Sequence, residues 1–137
     1  MYHPRDIGAI DNSADEFIEL HNISGATVPL NDPASPTNTW KVTEMVDYTF
    51  SQGQSIPAGK YLLVVNFDPS DVATLAAFRA KYGLAMDVQL FGPYSGKLDN
   101  SGGRIELKKP GVATTNGTPY IIADEIEYSD IAPWPVA

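Results

Sequence analysis

The chain has 137 residues, which suits one domain built around one core. At 43% apolar and 19% charged it has a globular balance, and no apolar run approaches the ~18 residues of a membrane span. Nine basic against 17 acidic residues give a net charge of −8, which repels phosphate backbones and anionic headgroups, and the absence of cysteine excludes disulfides, thiolate zinc sites and thiol nucleophiles. The N-terminus shows no charged-then-apolar signal pattern, and eleven Gly with eleven Pro cut the chain into short pieces, favouring strands.

In chain order, "DEFIELHN" (15–22) alternates, with Ile18 and Leu20 on one face and Phe17, Glu19 and His21 on the other, as a half-buried strand does. "VPL" (28–30) reads as an edge piece because Pro29 lacks a donor, and "NDPASPTNT" (31–39) reads as a loop. Trp40 and Val42 share a face, "TEM" interrupts, and then Val46, Tyr48 and Phe50 share a face. "KYLLVVNF" (60–67) is apolar on both faces, with Leu62 and Val64 opposed to Tyr61, Leu63 and Val65, so it is the expected central strand.

One helix is expected over about residues 69–82. Asp68 is its expected N-cap, with Pro69 at the first position and Asp71 in the first turn. Leu75, Phe78 and Tyr82 form its apolar stripe, Arg79 and Lys81 occupy the last turn, and Gly83 ends it. "VQLF" (88–91) is a further short strand. In "GPYSGKLDNSGGRIELKKPG" (92–111), two turn clusters lead into a strand with Ile105 and Leu107 facing in and Arg104, Glu106 and Lys108 facing out. After the "ATTNGT" turn, alternation in "YIIADEIEYSD" places Ile122, Asp124, Ile126 and Tyr128 on one inward face, with Asp124 expected to be a hydrogen-bonded structural aspartate. Seven to nine short strands with one helix describe an all-β sandwich.

Six segments in register resemble the lamin tail domain in its bacterial form. They are "MYHP" with "DEFIELHN", "WKV" with "VDYTF", "IPAGKYLLVV", "FRAKYG", "GKLDNSGGRIEL" and "DEIEYSDIAPWP". The resemblance implies an immunoglobulin-like β-sandwich without catalytic machinery or cofactor, serving attachment or protein contact in a larger exported or cell-surface bacterial protein. Gly96, Leu98, Asn100, Gly102, Ile105 and Leu107 match the family's turn-then-strand pattern, whereas Gly103 stands where an acidic residue is common. The family's usual first and last strand residues are missing at both ends. The expectation is therefore a single domain, 1–137, excised from a longer protein.

Candidate sites are sparse. His3 and His21 are the only histidines, and His21 with Glu19 makes at most two ligands, too few for a metal site. Acids cluster at Asp15, Glu16 and Glu19 and at Asp124, Glu125, Glu127 and Asp130 without a calcium-loop frame, so most read as solvated strand faces. Lys97, Arg104, Lys108 and Lys109 form the one locally basic segment. It is the candidate surface for a partner, including nucleic acid, although the net charge of −8 opposes the latter. Trp40 reads as core. Trp134 between two prolines, with Tyr94 or Tyr128 nearby, would resemble an aromatic platform for polysaccharide. No nucleophile elbow or phosphate-binding glycine motif occurs. The leading reading is a non-catalytic interaction module with an unknown protein or cell-surface partner; the alternative is a polysaccharide- or nucleic-acid-binding module.

Overall fold

The structure, a computed structural model, describes residues 4, 7, 8 and 10–132. A short 3-10 turn at Ser13–Asp15 precedes β1 (Phe17–His21), β2 (Val28–Pro29), β3 (Asn31–Asp32), β4 (Ser35–Thr39), β5 (Lys41–Glu44) and β6 (Val46–Thr49). There follow β7 (Ser55–Ile56), β8 (Tyr61–Val65), α1 (Val72–Tyr82), β9 (Gln89–Phe91), β10 (Ser95–Gly96), β11 (Gly102–Pro110) and β12 (Tyr120–Ser129). The main sheets run β1-β8-β9 and β10-β6-β5-β11-β12, and β2-β7 and β3-β4 are small two-stranded ribbons. Of these twelve segments among the described residues, β2, β3, β7 and β10 are two-residue pieces, leaving eight strands of substance.

Period-2 alternation generates the layers. Leu62 and Val64 of β8 face Val42, Val46, Phe50, Ile105 and Tyr128 of the larger sheet and its margins in one core, joined by Leu30, Ile56, Tyr94 and Leu98. Ile18, Leu20, Trp40 and Leu107 pack against it, half-buried or at its margin. The opposite face of β8 sends Leu63 and Val65 into a second core with Phe78 of α1 and Val88. This is why β8 is apolar on both faces: it separates a sheet-on-sheet interior from a sheet-on-helix one. The fold is an all-β sandwich with one added helical layer.

Helix α1 lies over the outer face of the three-stranded sheet. It is the crossover that lets β9 run parallel to β8. Phe17 meets Phe78 and Tyr82 edge-on, at ring centroid distances of 5.9 and 5.3 Å. The helix also starts later than expected. Asp71, not Asp68, is its N-cap, and its carboxylate accepts from the Ala73 and Thr74 amides. Asp68 instead closes a preceding turn by accepting from Ser70 N–H at 2.8 Å, which places Pro69 outside the helix. Both aspartates are good turn formers three residues apart, and sequence alone does not choose between them. Accordingly, Asp71→Ala should lower the thermal midpoint by a few degrees and more than Asp68→Ala; the reverse order in a melting experiment would contradict this capping assignment.

Two other expectations change. The segment 31–39 is a polar hairpin, not a loop. Asn31 pairs with Thr39 and Asp32 with Ser35, and the Asp32 carboxylate accepts from Ala34 N–H at the turn. Side-chain hydrogen bonding, rather than apolar alternation, builds this ribbon, so hydrophobic periodicity does not register it. In β12, the inward set is broken by a bulge. Leu107 pairs with Asp124 but Lys108 pairs with Ile122, leaving Ala123 as an extra residue. Ile122 therefore falls on the outer face beside Lys108, while Asp124, Ile126 and Tyr128 keep the face of Leu107, Ile105 and Gly103. Of these, only Tyr128 is buried; Asp124 is exposed and Ile126 is 53% exposed. The strand ends the five-stranded sheet, and among the described residues nothing covers this part of it.

Candidate functional site

The basic residues do not form a free cationic patch. Arg104, Glu106 and Lys108 alternate along β11 and share a face, where Glu106 lies between the two cations, 2.5 Å from Arg104 and 2.8 Å from Lys108. Arg104 also reaches Glu125 at 2.6 Å, and Lys108 approaches Glu44 at 3.6 Å. Hydrogen bonding from Lys108, then the two positive charges, hold the Glu106 carboxyl below the usual carboxylate range. The expectation that Glu106 is an open outer-face acid is corrected. It is only 5% exposed, on the strand face it shares with its two partners. Lys97 is elsewhere, paired with Asp11, and Lys109 is exposed at the end of β11. Arg104 and Lys108 thus share Glu106, while Lys97 and Lys109 lie apart from them.

Glu16 departs furthest from its expected solvated role: its solvent exposure is 0%. It precedes β1, on the same alternation face as Ile18 and Leu20, which carries its carboxylate into the interior. There one oxygen accepts from the Tyr94 hydroxyl at 3.0 Å and from Leu98 N–H at 3.2 Å, while the other has no hydrogen-bond partner. Burial pushes the Glu16 carboxyl up, against the lowering effect of those two donors. The same environment drives the Tyr94 hydroxyl well above its ordinary value, burial first and the Glu16 charge second. Asn100 extends the cluster by donating to Asp11 at 3.2 Å. Leu98 is buried, and Gly96 and Gly102 have positive φ, so the matched glycine-rich stretch fastens the chain around Glu16.

The aromatic platform does not assemble around the expected tyrosines. Tyr94 and Tyr128 are each 5% exposed and present no open ring face, and Trp134 lies outside the described residues, as does His3. Trp40 is half-buried against the main core. His21 is exposed beside Glu19, and no cluster of three His, Asp or Glu side chains able to hold a metal occurs among the described residues. No described helix is long and apolar enough to cross a membrane.

What the fold does assemble is a seam between the end strands of its two sheets. A groove of about 220 Å³ runs there, floored by Leu20, Leu30, Trp40 and Leu107 and rimmed by Glu19 and Asp124. Beside it, β12 exposes Ile126, at 53%, while Ile122, at 44%, lies on the opposite face and Ile121 is 51% exposed. Asp124 is not the buried structural aspartate expected: its carboxylate accepts from the Glu125 amide at 2.9 Å on the exposed strand. The seam was hidden from sequence reasoning because it depends on which strand ends each sheet, a nonlocal fact. The bulge at Ala123 disguised it further by mixing two faces into one apparent alternation. Compared with protein-family models, curated proteins and solved structures, the chain gives no match.

Proposed function

We propose that this chain is a non-catalytic β-sandwich module of the lamin tail type, making protein contacts within a larger exported or cell-surface bacterial protein. The observation that carries the reading is that β12, at the end of its sheet, exposes isoleucine on both faces, Ile122 on the outer one and Ile126 on the inner one, with Ile121 also exposed, among Asp124, Glu125 and Glu127. Large apolar side chains left open on an end strand and interspersed with charge are the kind of surface through which domains meet other proteins. The pairing of Arg104 and Lys108 with Glu106 adds support, because a polyanion would have to compete with a carboxylate already seated between them.

The test sets this reading against ligand-binding ones. Duplex DNA at low salt should not be retained, and a glycan array should give no signal. Salt-sensitive DNA binding abolished by Arg104→Glu with Lys108→Glu would overturn the protein-contact reading, as would glycan binding lost on Trp134→Ala. In the same experiment, the triple variant Ile121→Lys, Ile122→Lys, Ile126→Lys should melt close to the parent temperature, since all three side chains already face water. A collapse of stability would mean that these residues serve the fold instead.

A further inference from the structure

We propose that the outer edge of β12 is a strand-addition site for an extended segment of a partner protein that alternates basic and apolar residues. This rests on the protein-contact reading above and gives that contact a place and a chemistry.

The first support is the direction of the main chain. Met45 N–H donates to the Arg104 carbonyl at 3.2 Å, so the main-chain groups of Arg104 and Glu106 point toward β5. Those of Ile105 and Leu107 must then point toward β12, making Ile105–Ile126 and Leu107–Asp124 the bonded pairs. The main chain of Glu125 and Glu127 consequently points away from the sheet. Two further contacts agree with this phase. Glu125 N–H is met by the Asp124 side chain rather than by β11, and Asp130 N–H reaches back to the Ser101 carbonyl at 3.4 Å. An edge of this kind offers the Glu127 donor and the Glu125 and Glu127 carbonyl acceptors to an added strand, which displaces the Asp124 carboxylate to reach the Glu125 amide.

The second support is charge. Residues 120–130 carry Asp124, Glu125, Glu127 and Asp130 and no cation. Arg104 engages Glu125, and Asp124 and Glu127 make no ion pair with any of the described residues. An added strand would set its outer side chains beside Glu125 and Glu127, where lysine or arginine fits. Its inner side chains would lie by Ile126 and over the apolar seam at Leu107 and Trp40, where valine, isoleucine or leucine fits. A second copy of this chain is a poor occupant, because pairing β12 with itself brings acids against acids, and the Ala123 bulge interrupts the ladder.

The probe is a terminally blocked peptide alternating Lys and Val, compared with a Glu–Val counterpart and with a Lys–Val peptide N-methylated along one edge. Binding to the full chain is titrated at low salt and followed by residue-resolved amide exchange. Lys–Val should bind about tenfold or more tightly than Glu–Val, because two cross-strand positions, at Glu125 and Glu127, change from opposite to like charge. Its binding should slow exchange at Glu125 and Glu127 while leaving Ile126, already bonded to β11, unchanged. The N-methylated peptide should not bind, and Glu125→Lys with Glu127→Lys should remove the preference for Lys–Val. Equal affinity for both charge types, protection confined to another surface, or no binding overturns the site. Protection of Glu127 before peptide is added also overturns it, because the edge would then be covered by residues 133–137 or by a second copy. If the peptide fails while DNA and glycans are still ignored, only this site falls; if DNA or glycan binding appears, the protein-contact reading falls as well.

Discussion

Glu16→Ala should destabilise the fold by about 3–5 kcal/mol, because it strands two buried donors and opens a cavity at once. The donors are the Tyr94 hydroxyl and the Leu98 amide, both on the segment that carries the chain from the three-stranded sheet to β11. Glu16→Gln retains a carbonyl acceptor and should cost less, about 1–2 kcal/mol. The pH dependence separates the two substitutions further. Burial raises the native carboxyl above its ordinary 4.5, so the native state binds a proton more tightly than the unfolded chain does. Glu16 therefore contributes most stability in acid, and that contribution is lost as pH rises from about 4.5 through the raised native value. Glutamine cannot titrate. The stability gap between parent and Glu16→Gln, measured by urea unfolding across the acid-to-neutral range, should be widest in acid and narrow as pH rises. A gap that widens with pH would mean the carboxylate is held charged.

Gly96→Ala should cost about 2–4 kcal/mol, through two separable causes. Gly96 has φ +91°, a conformation that side-chain-bearing residues adopt only under strain, and an added Cβ would sit 2.5 Å from the Met45 main-chain oxygen. That oxygen cannot swing aside, because it accepts from Lys97 N–H at the β10–β6 pairing. Gly53 provides the comparison, with φ +83° but nothing within 4 Å of the added carbon. Gly53→Ala should then show the conformational penalty alone, about 1 kcal/mol, and the excess at Gly96 measures the close approach. Equal losses at the two positions would show that β10 yields to admit the methyl group.

These two positions also mark how far local pattern reaches. Gly96, Leu98 and Gly102 were legible as a turn entering a strand, since tight turns and buried strands leave residue-type traces over a few positions. The doubly apolar run Tyr61–Val65 identified the central strand for a similar reason: each face needs its own core. Glu16 was legible in principle, because "DEFIEL" puts it in phase with Ile18 and Leu20, but its charge argued for solvent. Tyr94 and Leu98, about eighty residues on, make that burial tolerable, and no local pattern contains them. The outward faces of β12 failed differently. One extra residue at Ala123 reversed the phase, and burial depended on the strand lying at the end of a sheet. In the basic segment, Glu106 sits between Arg104 and Lys108 and Asp11 pairs with Lys97, so charge density along the chain is not free charge on the surface.

Whether β12 leaves its outer main chain available is decided most directly by residue-resolved amide exchange on the uncomplexed protein. The Ile126 amide, directed at Ile105, should exchange slowly, and that of Glu127, directed outward, should exchange close to the rate of an open chain. The opposite order, or equal strong protection at both positions, would contradict the register and the free edge that follows from it.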